Sequence, residues 1–88
     1  MPKLEKEIVI KNKQGLHARP AAAFVQIVAK HNSIVIVRKG KERVNGTSIM
    51  GILTLGVQQD SAITLEIDGE DAEKVLDELE KFLSSENM

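Results

Sequence analysis

Apolar and polar positions along the chain follow two different periods, and these predict seven elements of secondary structure. Alternation with a period of two and β-branched residues indicate strands, whereas apolar residues three and four positions apart indicate helices. The predicted strands cover 4–10, 34–37, 41–44 and a segment opening at 60–61, and the predicted helices cover 18–29, 48–55 and a segment starting at 68–71. The order βαββαβα favours a two-layer α/β sandwich, because helices with an apolar stripe must cover a sheet face.

The same pattern predicts which side chains are buried. In the last strand Ile63, Leu65 and Ile67 face the core, while Thr64 and Glu66 face water. The buried stripe of the first helix is Ala21, Phe24, Val25 and Val28, and that of the last helix is Ala72, Val75, Leu76, Leu79, Phe82 and Leu83. Asp68 is the predicted cap of the last helix, since a carboxylate suits the positive end of a helix.

The middle of the chain predicts a hairpin. Residues 34–37 are apolar on both faces and are predicted to form a central strand. Arg38-Lys39-Gly40-Lys41 is predicted to turn the chain, with Gly40 supplying a backbone conformation that other residues avoid. Residues 41–44 then return as a short charged strand, and such charge protects a sheet edge from further pairing.

The segment 44–59 has no charged residue and contains the short second helix, which Gly56 ends. A hydroxyl of Ser48 or Thr47 is predicted to cap its start. Because apolar residues surround this helix, some must be exposed, and an exposed apolar patch marks a partner surface. The alternative is a short helix buried on both sides. The residues concerned are Ile49, Met50, Ile52, Leu53 and Leu55.

Composition limits the class of protein. The 88 residues are predicted to form one domain, 1–88, with one modest core. The chain has no cysteine and two histidines, so we expect neither a metal site nor a cofactor. No apolar run approaches membrane-spanning length and no secretory signal is evident, so a cytoplasmic location without membrane insertion is expected. A monomer is also expected.

Charge is unevenly distributed although the net charge is −1. Residues 1–44 are strongly basic and residues 45–88 strongly acidic. A basic first half suits an acidic partner or a phosphate. The alternative is that the two halves neutralise each other across the fold. Nucleic-acid binding is disfavoured, because aromatic residues make up only 2% of the chain and base stacking depends on them.

Candidate chemistry is concentrated in Gly15-Leu16-His17-Ala18-Arg19-Pro20-Ala21. Gly15 allows a sharp turn, and Pro20 is tolerated in a first helical turn, so His17 is predicted at or near the N-cap. Free backbone N–H groups at that end and the Arg19 guanidinium suit phosphate oxygens. A neutral imidazole is a nucleophile near pH 7, which indicates transient phosphorylation of His17. The alternative is an ordinary surface histidine. His31 is expected to be exposed, without a catalytic role.

This stretch resembles the active-site motif of HPr, the histidine-containing phosphocarrier family of the bacterial phosphoenolpyruvate:sugar phosphotransferase system. A second stretch, 44–56, resembles the regulatory-serine motif of that family, and the two motifs have the family's separation. The resemblance covers essentially the whole chain. It implies an α+β fold with a four-stranded antiparallel sheet of order 1-4-2-3 and three helices on one face.

The resemblance also implies a function. His17 would accept a phosphoryl group at Nδ1 from phosphorylated enzyme I and pass it to enzyme IIA of a sugar permease, so the protein would be a carrier and not a turnover enzyme. Arg19 and the amides of Ala18 and Arg19 would steady the phosphoryl group. The partner-binding residues would be Ile49, Met50 and Leu53.

Ser48 has two interpretations, a helix cap or a regulatory site phosphorylated by a serine kinase and dephosphorylated by a phosphorylase. Two other functions stay open at this stage. One is an HPr-like regulatory protein, either of a nitrogen-related phosphotransfer branch or as an effector of a transcription regulator. The other is a small anion- or nucleic-acid-binding domain that uses the basic first half of the chain.

Overall fold

The structure is built on one sheet whose strands all run antiparallel to their neighbours. The computed structural model describes residues 3–85. The strands are β1 (Lys3–Val9), β2 (Ile34–Lys39), β3 (Glu42–Asn45) and β4 (Ala62–Asp68), and the helices are α1 (Ala18–Ala29), α2 (Ile49–Thr54) and α3 (Ala72–Ser84). The strand order is β1-β4-β2-β3 and the helices cover one face, so the predicted fold is confirmed.

The two interior strands supply the sheet side of the core. The inward residues of β4 and β2 are buried: Val35, Val37, Ile63, Leu65 and Ile67. The charged β3 lies at the sheet edge, as its composition predicts. The hairpin turn is shorter than predicted, because Arg38 and Lys39 still pair with β3 and only Gly40 and Lys41 turn the chain.

Helix stripes complete the core. The residues of α1 and α3 buried against the sheet are Pro20, Ala21, Phe24, Val28, Ala72, Val75, Leu79 and Leu83. The other predicted stripe residues, Val25, Leu76 and Phe82, are half-buried and pack on the rim of this cluster. The apolar period therefore identifies the buried face of both helices correctly.

Glu66 contradicts the expectation that the second face of β4 is solvated. Its side chain is 6% exposed, beneath Arg38 of the neighbouring strand β2 and Arg43 of β3. Arg38 Nη1 lies 2.7 Å from Glu66 Oε2, and Arg43 Nη2 lies 2.8 Å from Oε1. Burial raises the pKa of Glu66, but the hydrogen bond and charge of Arg43, with the charges of Arg38 and Lys3, outweigh it and lower the pKa overall.

The start of α3 also differs from the prediction. Asp68 is the last residue of β4, and Asp71 occupies the N-cap position instead. The Asp71 carboxylate makes no capping hydrogen bond to its helix. It accepts one from the backbone N–H of Asn32 at 2.9 Å and another from the Ser33 hydroxyl. Asp71 therefore ties the loop between α1 and β2 to α3.

His31 lies in this junction, and the prediction that it is exposed is wrong. Its side chain is 18% exposed, with Nε2 2.9 Å from Glu78 Oε1 and Nδ1 3.5 Å from Asp71 Oδ2. Lys30 Nζ donates to the other Glu78 oxygen at 2.8 Å. The hydrogen bonds from the loop lower the pKa of Asp71, and those from Lys30 and His31 lower the pKa of Glu78.

Ion pairs within residues 3–85 mostly join the basic half of the chain to the acidic half. The interpretation that the two halves neutralise each other therefore accounts for much of the charge imbalance. The Lys and Arg pairs that cross between the halves are Lys3–Glu66, Lys6–Glu80, Lys11–Asp60, Lys30–Glu78, Arg38–Glu66 and Arg43–Glu66.

Candidate functional site

The loop before α1 is held against the loop before β4 by backbone contacts. Gly15 has φ +61°, and a Cβ atom at this position would lie 2.2 Å from the carbonyl oxygen of Val57. The buried Asn12 donates from Nδ2 to the Gly15 carbonyl at 3.0 Å, and Leu16 N donates to the Val57 carbonyl at 3.0 Å. The close approach requires a residue without a side chain, so Gly15 determines how the chain enters α1.

His17 occupies the N-cap of α1, as the sequence predicts. Its backbone is extended, with φ −86° and ψ −170°, and its carbonyl accepts from Ala21 N at 2.8 Å. The imidazole is exposed and makes no capping hydrogen bond, so it is free to meet a reactant. The backbone N–H groups of Ala18 and Arg19 have no acceptor among residues 3–85. Such groups suit the oxygens of an anion at the imidazole.

A shallow cleft of about 370 Å³ opens beside His17. The two loops line it with Lys13, Gln14, His17, Gln58 and Gln59. None of these residues is acidic. A hydrogen bond of 3.4 Å from Gln59 Nε2 to a carbonyl of the first loop joins the two walls. The cleft thus offers an ammonium group and amide donors next to the imidazole.

The structure separates some site residues that the sequence groups together. Arg19 is exposed on the first turn of α1, forms no ion pair within residues 3–85 and does not line the cleft. Lys13, by contrast, lines the cleft but was not singled out from the sequence. Gln58 and Gln59 reach the cleft from a distant segment, so no local pattern could have identified them. The position of Lys13 in the same polar turn as Gly15 was the one available signal.

The second motif forms the capped helix α2. Ser48 is the N-cap, and its Oγ accepts from Gly51 N at 3.0 Å, so the capping interpretation is confirmed. The Thr47 hydroxyl instead donates to Asn45 Oδ1. Since Leu16 bonds to Val57, the segment leaving α2 runs directly to the loop that carries His17.

The apolar residues of α2 divide between core and solvent. Ile52 and Leu55 are buried, whereas Ile49, Met50 and Leu53 are 39%, 68% and 37% exposed. The expectation that some of them form an exposed patch is confirmed, and burial on both sides is excluded. We refer to Ile49, Met50 and Leu53 as the α2 patch.

The family model for the phosphorylation site of the PTS HPr component matches residues 4–85. The chain belongs to the HPr family. This is a family of phosphoryl carriers and not of turnover enzymes, and its members act with the enzymes of the phosphotransferase system.

The chain resembles two kinds of curated relative to a similar degree. It is 39% identical over 83 residues to the HPr-like protein Crh of Halalkalibacterium halodurans, covering 94% of this chain and 99% of that one. It is 40% identical over 83 residues to the phosphocarrier protein HPr of Xylella fastidiosa, covering 93% of this chain and 92% of that one. Overall identity therefore does not separate a carrier from an HPr-like relative.

Solved structures agree on the fold. The phosphocarrier HPr of Bacillus anthracis has a TM-score of 0.89 at 37% identity, covering 92% of this chain and 96% of that one. The Crh protein of Bacillus subtilis, described as a dimer with a swapping domain, has a TM-score of 0.76 at 35% identity, covering 97% and 98%. Within residues 3–85, no helix combines the length and apolar character needed to cross a bilayer.

Proposed function

We propose that this protein carries a phosphoryl group on His17 between phosphorylated enzyme I and enzyme IIA of a sugar permease. The observation that carries the proposal is the exposed His17 imidazole at the N-cap of α1, with two unbonded backbone amides and an acid-free cleft beside it. Family membership supports the same role. The resemblance stated above supplies the partners, and we propose that the transfer takes place in the cytoplasm.

The proposed transfer is a displacement at phosphorus. Nδ1 of His17 attacks the phosphorus carried by a histidine of enzyme I, the new N–P bond forms, and the imidazole of enzyme I leaves with the electrons of the old bond. The amides of Ala18 and Arg19 and the Arg19 guanidinium then hold the phosphoryl oxygens. A histidine of enzyme IIA then attacks the same phosphorus, and the His17 imidazole leaves with the electrons of its N–P bond. Because only transition-state stabilisation speeds transfer, the carrier must hold the group moderately.

The α2 patch is the proposed docking surface for both enzymes. Its three exposed apolar residues stand on the element that leads directly to the His17 loop. A small patch permits fast dissociation, which a carrier with alternating partners requires. We propose that the carrier acts as a monomer, so that the patch and His17 are both open to each partner.

The test is incubation with phosphoenolpyruvate and enzyme I, followed by intact-mass measurement before and after mild acid. We expect a gain of one phosphoryl group that mild acid removes, and its loss in His17→Ala. His31→Gln is the matched control, because His31 is the other histidine and lies in the junction with α3. A phosphoryl gain that persists in His17→Ala and disappears in His31→Gln would refute the assignment.

Arg19 is expected to assist the transfer without being indispensable. Loss of a charged hydrogen bond of about 1.5–3 kcal/mol predicts that Arg19→Ala slows transfer about ten- to a hundredfold. Arg19→Lys should recover part of the rate, since it restores the charge but not the forked geometry. Rapid-quench measurement of phosphoryl transfer provides the comparison. Rates in Arg19→Ala equal to wild type would remove this residue from the site.

A regulatory function is the second candidate, favoured by the similarity to Crh. In this function Ser48 would be phosphorylated by a serine kinase, and the protein would act on a transcription regulator. A phosphate at Ser48 would place charge next to the α2 patch and weaken docking. The test is incubation with ATP and an HPr kinase: acid-stable phosphate, absent from Ser48→Ala, supports regulation. An acid-stable phosphate that remains in Ser48→Ala would exclude Ser48 as the site.

A further inference from the structure

Among the residues that line the cleft beside His17, the one Lys, Arg, Asp or Glu is Lys13. We propose that the Lys13 ammonium binds the phosphoryl group while His17 carries it, as a second cation in addition to Arg19. This inference rests on the proposed function, because it concerns the phosphorylated state of the same histidine.

The charge environment of Lys13 supports the inference. Most other basic side chains of residues 3–85 are neutralised by carboxylates, but Lys13 forms no ion pair with any of them. Its side chain is exposed and borders a cleft whose other walls are uncharged amides and the imidazole. The carboxylate that follows the cleft residues Gln58 and Gln59 in the chain, that of Asp60, is offset by Lys11, whose Nζ lies 3.9 Å from Asp60 Oδ1. The free charge next to His17 is therefore positive.

The frame that carries Lys13 is built before any phosphoryl group arrives. Asp60 N donates to the Ile10 carbonyl at 2.7 Å, and Leu16 N donates to the Val57 carbonyl at 3.0 Å. The Gly15 turn is in close contact with Val57 as well. These contacts lie on both sides of Lys13 in the chain, so its backbone position beside the cleft is determined. Only the flexible lysine side chain has to be ordered when it meets the oxygens.

Lys13 and Arg19 occupy different positions relative to the cleft beside His17. Arg19 stands on the first turn of α1, outside the cleft lining, whereas Lys13 belongs to the lining. A phosphoryl dianion on the ring offers three oxygens, so two cations can bind it without competing. An exposed ammonium gives modest stabilisation, which suits a group that must be passed on.

The experiment measures the pKa of the phosphoryl group on His17 by phosphorus NMR. Phosphoramidate serves as donor, since its phosphoryl group moves to the imidazole nitrogen and ammonia leaves. The relevant signal is the one that is absent from His17→Ala. A nearby ammonium favours the dianion and lowers the pKa of the phosphoryl group, so Lys13→Gln should raise that pKa by about 0.2 to 0.7. The difference should shrink in 0.5 M salt, roughly as expected for exposed charges.

Two control variants decide between local binding and a general charge effect. Lys13→Arg keeps the charge and should titrate like wild type. Lys74→Gln removes an exposed lysine from the first turn of α3, near the end of β4 opposite the His17 loop, and should leave the titration unchanged. A curve for Lys13→Gln that coincides with wild type, or an equal shift in Lys74→Gln, overturns the inference. Absence of the phosphorus signal from wild-type protein contradicts the proposed function as well.

Discussion

At the scale of single residues, the position of His17 depends on a glycine. Gly15 combines a left-handed backbone with the close approach of the Val57 carbonyl. Gly40 has a similar φ of +59°, but nothing lies within 4 Å of where its Cβ would be. Comparing an alanine substitution at each of these two glycines therefore separates the free-energy cost of the left-handed backbone from that of a steric clash.

We predict that Gly15→Ala destabilises the protein more than Gly40→Ala does. The left-handed backbone costs about 1–2 kcal/mol for either alanine, and the clash with Val57 adds to it only at Gly15. Urea unfolding should therefore give a free-energy loss for Gly15→Ala roughly 1–3 kcal/mol larger. Equal losses of unfolding free energy in the two variants would mean that the loop before α1 can move away from the loop before β4 at no cost. Phosphorylation of His17 should also slow in Gly15→Ala and not in Gly40→Ala.

At the scale of elements, α2 is the helix whose stability depends most on contacts with the rest of the protein. It has six residues, which is far below the length at which an isolated helix is stable. Its stability comes from Ile52 in the core and from the Ser48 cap. This explains how α2 can leave three apolar side chains exposed: burial of one face and a good cap are sufficient to keep it folded.

We predict that Ser48→Ala lowers the free energy of unfolding by about 1 kcal/mol, because the Gly51 amide loses its acceptor. Ser48→Asp should retain most of the stability, since a carboxylate also caps a helix. The matched control is Ser84→Ala at the end of α3, where the exposed hydroxyl donates over a long 3.3 Å. Chemical denaturation measures all three variants. If Ser48→Ala is as mild as Ser84→Ala, the cap contributes nothing.

At the scale of the whole molecule, charge pairs join distant segments. The carboxylates of Asp71, at the N-cap of α3, and of Glu78, within α3, connect to residues 30–33, and Glu66 connects three strands. All three carboxyl groups have a lowered pKa in the folded protein. The folded state therefore binds fewer protons than the unfolded state at acid pH, which makes stability depend on pH.

We predict that the free energy of unfolding falls as the pH drops from about 5 to 3, when these carboxylates become protonated. The sign follows from the lowered pKa: the stabilisation is complete above the unfolded-state pKa and is lost as the pH passes below the folded-state value. Asp71→Asn and Glu78→Gln should each flatten this slope. Asp77→Asn, whose ion pair with Lys81 is exposed, is the control and should change the slope little. If the slope were unaltered in Asp71→Asn and Glu78→Gln, the pH dependence could not be assigned to these carboxylates.

The sequence by itself determined the features that depend on neighbouring residues. The bounds of α1, the apolar stripes, the charged edge strand and the N-cap position of His17 all follow from local periodicity and from residues such as Gly15 and Pro20. The exposed α2 patch follows from the same reasoning, because the apolar residues of the helix predicted over 48–55 cannot all lie on one face. The strand order came from resemblance to the HPr family, since period alone does not specify which strands pair.

Only the tertiary structure decided which distant polar groups meet. Glu66 appears solvated from the alternation of β4, but two arginines from other strands cover it. His31 appears exposed at a helix end, but carboxylates of α3 enclose it. Likewise, Gln58 joins Lys13 and His17 in one cleft only because the loops pack together. Hydrophobic periodicity shows on which face of its own helix or strand a residue lies. Ion pairs and clefts instead depend on side chains that the fold brings together from distant parts of the chain.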